Sequence, residues 1–185
     1  MPGTLCHRIG PGRLPGASRR DIGGGIAMAT AATIAPALWY VMYASATVGG
    51  SPADWLVDAA NVTIGLTVVF GAIVVPSAFG LGAFFWGRYV PETPSPAKGL
   101  LWGGATAYGC LVVVCLLIAA LVAGLGSVGG GTSVLTFLGG ILVLWALTTL
   151  LATLLAGWIV VPLGAAAGAY HELARRGESE SAVDP

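Results

Sequence analysis

Four long apolar stretches dominate the chain, and short polar segments separate them. The stretches cover about residues 22–48, 62–87, 99–124 and 134–170, and none of them contains Lys, Arg, Asp or Glu. An α-helix needs roughly 20 apolar residues to cross a hydrocarbon core of about 30 Å. The pattern therefore predicts an all-α polytopic membrane protein, a four-transmembrane-helix bundle.

The polar segments divide the chain into three predicted parts. Residues 1–20 are rich in Gly, Pro and Arg and predict a mobile cytoplasmic leader, residues 21–176 the transmembrane domain, and residues 177–185 an acidic cytoplasmic tail. Arg19 and Arg20 before an apolar run have the outline of a twin-arginine signal. Because that run leads into further spans, an uncleaved anchor is the favoured interpretation.

Composition supports a lipid bilayer as the partner of most of the chain. Hydrophobic residues make up 56% of the sequence, charged residues 9%, and the mean hydropathy is +0.88. Soluble domains are usually about a quarter charged. The formal net charge is zero, and no basic patch of the kind that binds nucleic acid is present, so a nucleic-acid partner is not expected.

The basic residues predict how the chain is threaded. All eight lie before the first stretch, between the second and third, or after the fourth, at Arg8, Arg13, Arg19, Arg20, Arg88, Lys98, Arg175 and Arg176. The positive-inside rule then places both termini and the central connection in the cytoplasm. The predicted location is the plasma membrane, with multiple crossings.

A repeated motif favours a duplication of two parallel helical hairpins. The run that ends at Pro76, Gly-Ala-Ile-Val-Val-Pro, returns as Gly-Trp-Ile-Val-Val-Pro ending at Pro162. Both copies lie in an even-numbered span, with small residues and a basic residue after them. The odd-numbered spans match poorly, because Pro36 in the first span has no counterpart in the third.

Prolines inside three of the stretches predict helix kinks. Pro36, Pro76 and Pro162 each remove a backbone hydrogen bond and free the carbonyl one turn earlier. In transporters such breaks line a substrate cavity together with polar neighbours. Here the neighbours are apolar, so a kink that serves packing is the favoured interpretation.

Asp58 and Asn61 form the strongest polar cluster in the sequence. They lie three residues apart, on one helical face at the predicted outer end of the second span. A cation or polar solute is one candidate ligand for them. The alternative, which we favour, is that Asp58 caps the outer start of the helix or lies beside it, where the helix dipole favours a carboxylate, while Asn61 faces interfacial water.

No stretch offers the residues that a cofactor, a metal or catalysis would need. A membrane-buried ionisable residue is a functional hypothesis by default, but the two histidines, His7 and His171, lie outside the four stretches. The sequence therefore predicts no metal site, no cofactor and no enzymatic activity. Cys110 and Cys115 are five residues apart in one predicted helix, which excludes a disulfide between them.

Aromatic and basic residues near the ends of the spans predict contacts with lipid headgroups. The aromatic ones are Trp55, Trp86, Tyr89, Trp102 and Tyr170. The segment from His171 to Arg176 predicts a helix end whose basic residues suit the helix dipole and anionic headgroups.

Glycines at four-residue spacing predict close helix packing. Gly99 and Gly103 lie in the third stretch, and Gly164 and Gly168 in the fourth. Such faces let helix backbones approach closely, which is how helices associate when lipid removes the hydrophobic driving force. The partner of these faces is either another span of the chain or a second subunit.

The chain resembles the uncharacterised four-span membrane proteins of prokaryotes that are common in haloarchaeal genomes. The resemblance is carried by seven Arg to one Lys, by the short Glu/Ser/Asp tail, and by the endings Pro76–Phe84 and Pro162–Tyr170. It implies the four-span fold from Ile22 to Arg176 and brings no activity or site residues with it. We expect a non-enzymatic accessory or structural membrane subunit that associates with itself or with other membrane subunits. The alternative is a small-solute permease or channel.

Overall fold

The computed structural model describes residues 19–48, 54–90, 92–127 and 133–181, and every regular element in these ranges is helical. The elements are α1 (Arg20–Val48), α2 (Asp54–Arg88), α3 (Pro96–Ser127), α4 (Val134–Ala152), a π-helical turn (Thr153–Gly157) and α5 (Trp158–Ser181). For residues 42–43, 45–48, 54–64, 66–70 and 177–181, the structure describes the helical backbone but not the side chains. The all-α prediction is confirmed.

Three helical segments in the described part of the chain are long and apolar enough to cross a membrane. They are Arg20–Val41, Pro96–Ser127 and Val134–Arg176. The last of these runs without interruption through α4, the π-turn and α5. The 35-residue helix α2 holds the remaining predicted stretch, but about half of its side chains are not described.

The helices pack as two tight antiparallel pairs, α1 with α2 and α3 with α5. A small core joins the pairs. Its buried members include Met28 of α1, Ala78 and Trp86 of α2, and Ala107 and Cys110 of α3. Helix α4 packs mainly on α3. Its start is fixed by Ser133, whose hydroxyl accepts a hydrogen bond from the Thr136 N–H at 3.2 Å.

Both pairs are closest at glycines that occupy equivalent positions. Gly82 follows Pro76 by six residues, and its backbone lies against Gly24 and Gly25 of α1. Gly168 follows Pro162 by the same interval and lies against Gly99 and Gly103 of α3. A β-carbon at either position would meet backbone atoms, so these crossings need glycine. Close backbone approach is the usual source of helix association in lipid.

Two helix boundaries differ from the predicted spans. Helix α2 begins at Asp54 rather than near residue 62, and α5 ends at Ser181, inside the predicted tail 177–185. Hydropathy marks the part of a helix that suits hydrocarbon. The backbone hydrogen bonds of a helix, however, continue into polar sequence until a breaker or a cap stops them.

The π-turn lies just before the third of the helix prolines. Pro162 has no N–H for the carbonyl of Trp158, one turn earlier. Single π-turns inside α-helices locally widen the helix and often occur at functional sites. Pro36 and Pro76 lie inside α1 and α2, which continue as α-helix across them.

Candidate functional site

A buried carboxylate lies at the end of the bundle where Arg20, Arg88, Lys98 and Arg175 gather, which we call the basic end. The side chain of Glu172 on α5 is 0% exposed. Its Oε1 accepts hydrogen bonds from Trp86 Nε1 at 3.0 Å and Arg175 Nη1 at 2.8 Å. Its Oε2 accepts from the Ser95 N–H at 3.1 Å and Arg175 Nη1 at 3.0 Å.

Three separate segments supply the donors to Glu172. Trp86 comes from the end of α2, Ser95 from the connection before α3, and Arg175 from the next turn of α5. Positions three apart share a helix face, so Arg175 reaches the carboxylate within its own helix. Pro96 stands at the first position of α3, where a missing N–H costs nothing. Ser95 precedes the first helical residue, so its N–H has no partner within the helix and donates to Glu172.

Further contacts extend this cluster across the basic end. Arg175 Nη2 donates to the Glu92 carbonyl at 2.9 Å, and Arg20 Nη2 of α1 donates to the Gly87 carbonyl at 2.8 Å. The His171 ring meets the Trp86 ring edge-on, with centroids 6.0 Å apart. The cluster therefore connects α1, α2, α5 and the connection between α2 and α3.

The hydrogen-bond acceptor sites of the Glu172 carboxylate are all occupied within the cluster. An ionised carboxylate has about four lone-pair sites, and Glu172 accepts four hydrogen bonds. The ion pair with Arg175 is largely removed from solvent, with side-chain exposures of 17% and 0%. Such a pair is stable only when further donors complete it. No acceptor site remains on Glu172 for a metal or a substrate.

The headgroup prediction for Trp86 is wrong. Its side chain is 0% exposed, because its indole N–H binds the buried carboxylate rather than interfacial water or lipid. In the segment from His171 to Arg176, the prediction concerned the basic residues, and it did not foresee that Glu172 faces the bundle interior. Tyr89 and Tyr170 are half exposed, and the Tyr89 ring stacks on Trp102 at 5.1 Å.

The predicted packing glycines meet each other across one interface. A β-carbon at Gly99 would lie 2.5 Å from the carbonyl oxygen of Gly168, and one at Gly103 would collide with the carbonyl oxygen of Gly164. Within this chain, the glycine face of α3 therefore packs on that of α5. This contact places Glu172, one turn beyond Gly168, beside the start of α3.

The other predicted site lies at the far end of α2. Asp58 and Asn61 are helical, but their side chains lie outside the described residues. Because α2 begins at Asp54, Asp58 lies in the second turn and not at the cap position. The role as helix cap therefore does not fit the observed start of the helix, while the other roles predicted for Asp58 and Asn61 stay predictions.

An apolar cavity of about 240 Å³ lies between the two helix pairs. Helix α1 contributes Ala35, Pro36 and Trp39 to its wall, α3 contributes Cys110 and Cys115, and the region of the π-turn contributes Ala156. Both thiols are free, as the exclusion of a disulfide predicted. The cavity is partly open to the surface of the bundle.

Comparisons with known proteins give no match: no family model, no curated protein and no solved structure is significantly similar to this chain. The resemblance to haloarchaeal four-span proteins therefore stays a prediction. In the part of the chain that the structure describes, no three His, Cys, Asp or Glu residues are grouped to hold a metal ion.

Proposed function

We propose that this protein is a multi-pass integral membrane protein of the plasma membrane and acts as a non-enzymatic accessory or structural subunit. It crosses the bilayer four times, with α2 as the second crossing, and both termini are cytoplasmic. The observation that carries the proposal is that the Glu172 carboxylate already accepts four hydrogen bonds from within the protein. Its buried carboxylate holds three segments together and has no acceptor site left for a substrate.

The threading is supported by the gathering of charge at one end of the bundle. Arg20 lies beside Gly87 and Arg175 beside Glu92, so both ends of the helical domain and the central connection are neighbours. With four crossings, the positive-inside rule assigns that end to the cytoplasm.

Labelling of single cysteines tests this threading. In a background without native cysteines, Ser51→Cys and Ser127→Cys should react with an impermeant maleimide added to intact cells. Thr93→Cys and Ser179→Cys should react only after lysis. Labelling of Thr93→Cys in intact cells would reverse the orientation. Finding residues 93 and 179 on opposite faces would remove the four crossings.

The role as a subunit is supported by the surface of α4. None of its 19 residues is buried, and nothing lies within 4 Å of a β-carbon built at Gly139 or Gly140. We expect a neighbouring membrane subunit, or a second copy, to contact α4. Gly139→Leu and Gly140→Leu change that surface at positions where an added β-carbon meets no other part of the chain.

Purification in mild detergent tests the subunit role. We expect the wild type to self-associate or to retain a membrane partner, and the two α4 variants to lose that association. Gly109→Leu is the matched control, because nothing lies within 4 Å of Gly109 on α3 either. A wild-type protein that is monomeric and without a partner would refute the subunit role.

The alternative function is a small-solute permease built from two repeated hairpins. It is favoured by the equivalent glycine contacts of Gly82 and Gly168, which suit a duplicated transporter fold. Solute flux into proteoliposomes above that of empty liposomes, reduced by Asp58→Asn, would support this alternative. Flux equal to that of empty liposomes across a broad solute panel would remove it.

A further inference from the structure

We propose that the apolar cavity between α1, α3 and the π-turn is a binding site for a single hydrocarbon chain, supplied by a membrane lipid. The proposal rests on the membrane location proposed above but not on the role as a subunit. It concerns a site in the middle of the bundle, away from the Glu172 cluster.

The size of the cavity argues against a simple packing defect. Protein interiors are close-packed, with few voids larger than a water molecule. An engineered apolar cavity of about 150 Å³ stays dry and binds benzene, and the present one measures about 240 Å³. A hydrocarbon segment would restore the dispersion contacts that the lining atoms otherwise lack.

The lining is suited to an extended chain. Ala31 and Ala35 lie one turn apart on α1, and Ala152 and Ala156 lie at the same spacing on the wall that contains the π-turn. Residues four apart share a helix face, so each wall presents a row of methyl groups. Larger side chains at these positions would fill the space that the four alanines leave.

The polar groups at the cavity do not suit water or a polar solute. A buried water needs two to four polar partners. The Trp39 indole N–H is already used, since it donates to the Leu155 carbonyl at 3.3 Å. The Cys110 thiol lies 3.8 Å from the Val74 carbonyl, and a thiol is only a weak donor. The Cys115 thiol is a second weak donor, and the other lining residues have apolar side chains, which favours a hydrocarbon occupant.

The partly open side of the cavity gives a chain a route of entry. Hydrocarbon surrounds a membrane-spanning bundle, so a lipid tail at high local concentration meets this opening. One wall of the cavity contains the π-turn, which is linked to α1 by the hydrogen bond from the Trp39 indole N–H to the Leu155 carbonyl.

Photo-crosslinking of the wild-type protein tests the site directly. The full chain is reconstituted into phosphatidylcholine vesicles in which one acyl chain carries a mid-chain diazirine, illuminated, digested and mapped by mass spectrometry. A parallel sample receives a free fatty acid with the same diazirine. We expect adducts on residues that line the cavity, namely Ala35, Pro36 and Trp39 of α1 or Cys110, Leu111 and Val114 of α3. Adducts on exposed residues of α4, such as Leu138 and Leu142, report that the protein is inserted.

Matched variants separate the cavity from the general lipid surface. Ala35→Leu and Ala156→Leu fill the cavity from two walls, and we expect each to lower adducts on the cavity wall at least fivefold. The adducts on α4 should stay unchanged. Ala105→Leu is the control, because Ala105 is exposed on α3 outside the cavity and should change neither set.

The outcomes decide between a lipid tail, a free chain and no site. Cavity adducts with the phosphatidylcholine probe support a lipid tail as the occupant. Cavity adducts with the free fatty acid alone support a hydrocarbon site but overturn its assignment to a lipid tail. Adducts on α4 with none on the cavity wall of the wild type overturn the site while leaving the membrane location intact. Loss of both sets would instead refute the membrane location.

Discussion

The two halves of the last membrane-length helix, α4 and α5, behave in opposite ways. Helix α4 is the more apolar half, yet none of its residues is buried. Helix α5 carries more Gly, Ala and charged residues, yet Gly164, Gly168 and Glu172 form a buried stripe at four-residue spacing. The π-turn separates the halves. In this protein, apolar content therefore does not identify the packed surface.

The physical reason lies in the solvent. In water, a Leu-rich helix gains free energy by burial, but lipid tails are as apolar as Leu, so in the membrane location proposed above α4 would gain little by leaving them. For α5, close backbone contact and a completed hydrogen-bond cluster still favour packing against the bundle over exposure to lipid. Four variants, two in each half, test this difference.

The largest effect is expected from Glu172→Ala on α5. Removing one partner of a buried ion pair costs roughly 3–5 kcal/mol, because the other charge and its neighbours stay buried without a partner. We expect a loss of about that size in the free energy of unfolding, measured by SDS titration in mixed micelles and followed by circular dichroism.

Glu92→Gln is the control for Glu172→Ala. Glu92 is exposed and takes part in the cluster only through its backbone carbonyl, so its variant should unfold like the wild type. Equal stability of Glu172→Ala and the wild type would show that the Glu172 cluster does not hold the basic end together.

A smaller loss is expected from Gly168→Ala on α5. The new methyl group would collide with the Gly99 carbonyl, a backbone atom that cannot rotate away. Overpacking of this kind costs about 1–3 kcal/mol. Gly140→Ala on α4 is the matched control, since its methyl group meets nothing within 4 Å and Ala favours helix. If both variants lose stability equally, the contact between Gly168 and Gly99 is not the cause of the loss.

The sequence predicted the helices and the glycine contacts, but it did not predict the Glu172 cluster. Apolar length and four-residue spacing are local signals, so they are readable along one segment. Glu172 lies 86 residues from Trp86 and 77 residues from Ser95 along the chain, and each residue alone is typical of a headgroup region. A Glu among basic residues at a helix end, with Trp at the end of a neighbouring span, was the available signal. The π-turn and the cavity produce no periodic pattern in the sequence, because both depend on how the helices cross.

A modest loss in the free energy of unfolding is expected from Trp145→Phe, which removes a hydrogen bond between α4 and α3. The Trp145 indole N–H donates to the Val112 carbonyl of α3 at 3.1 Å. A neutral hydrogen bond contributes about 0.5–1.5 kcal/mol net, and Phe retains most of the ring contact. We expect a loss of about 1 kcal/mol in the same titration. A loss as large as that of Glu172→Ala would mean that α4 is held as firmly as α5.

The smallest effect is expected from Leu142→Ala on α4, and it tests the role of the solvent most directly. Leu142 is 58% exposed, and in the proposed membrane location its side chain contacts lipid in the folded state and again when the helices separate. The free energy of that contact therefore cancels, and the change in unfolding free energy should stay within about 0.5 kcal/mol. The same substitution in a water-soluble core costs about 2–5 kcal/mol. A loss in that range, measured on protein shown to be monomeric, would mean that α4 is packed within the chain and that the contrast with α5 is absent. A loss seen only in associated protein would place Leu142 against a neighbouring subunit instead.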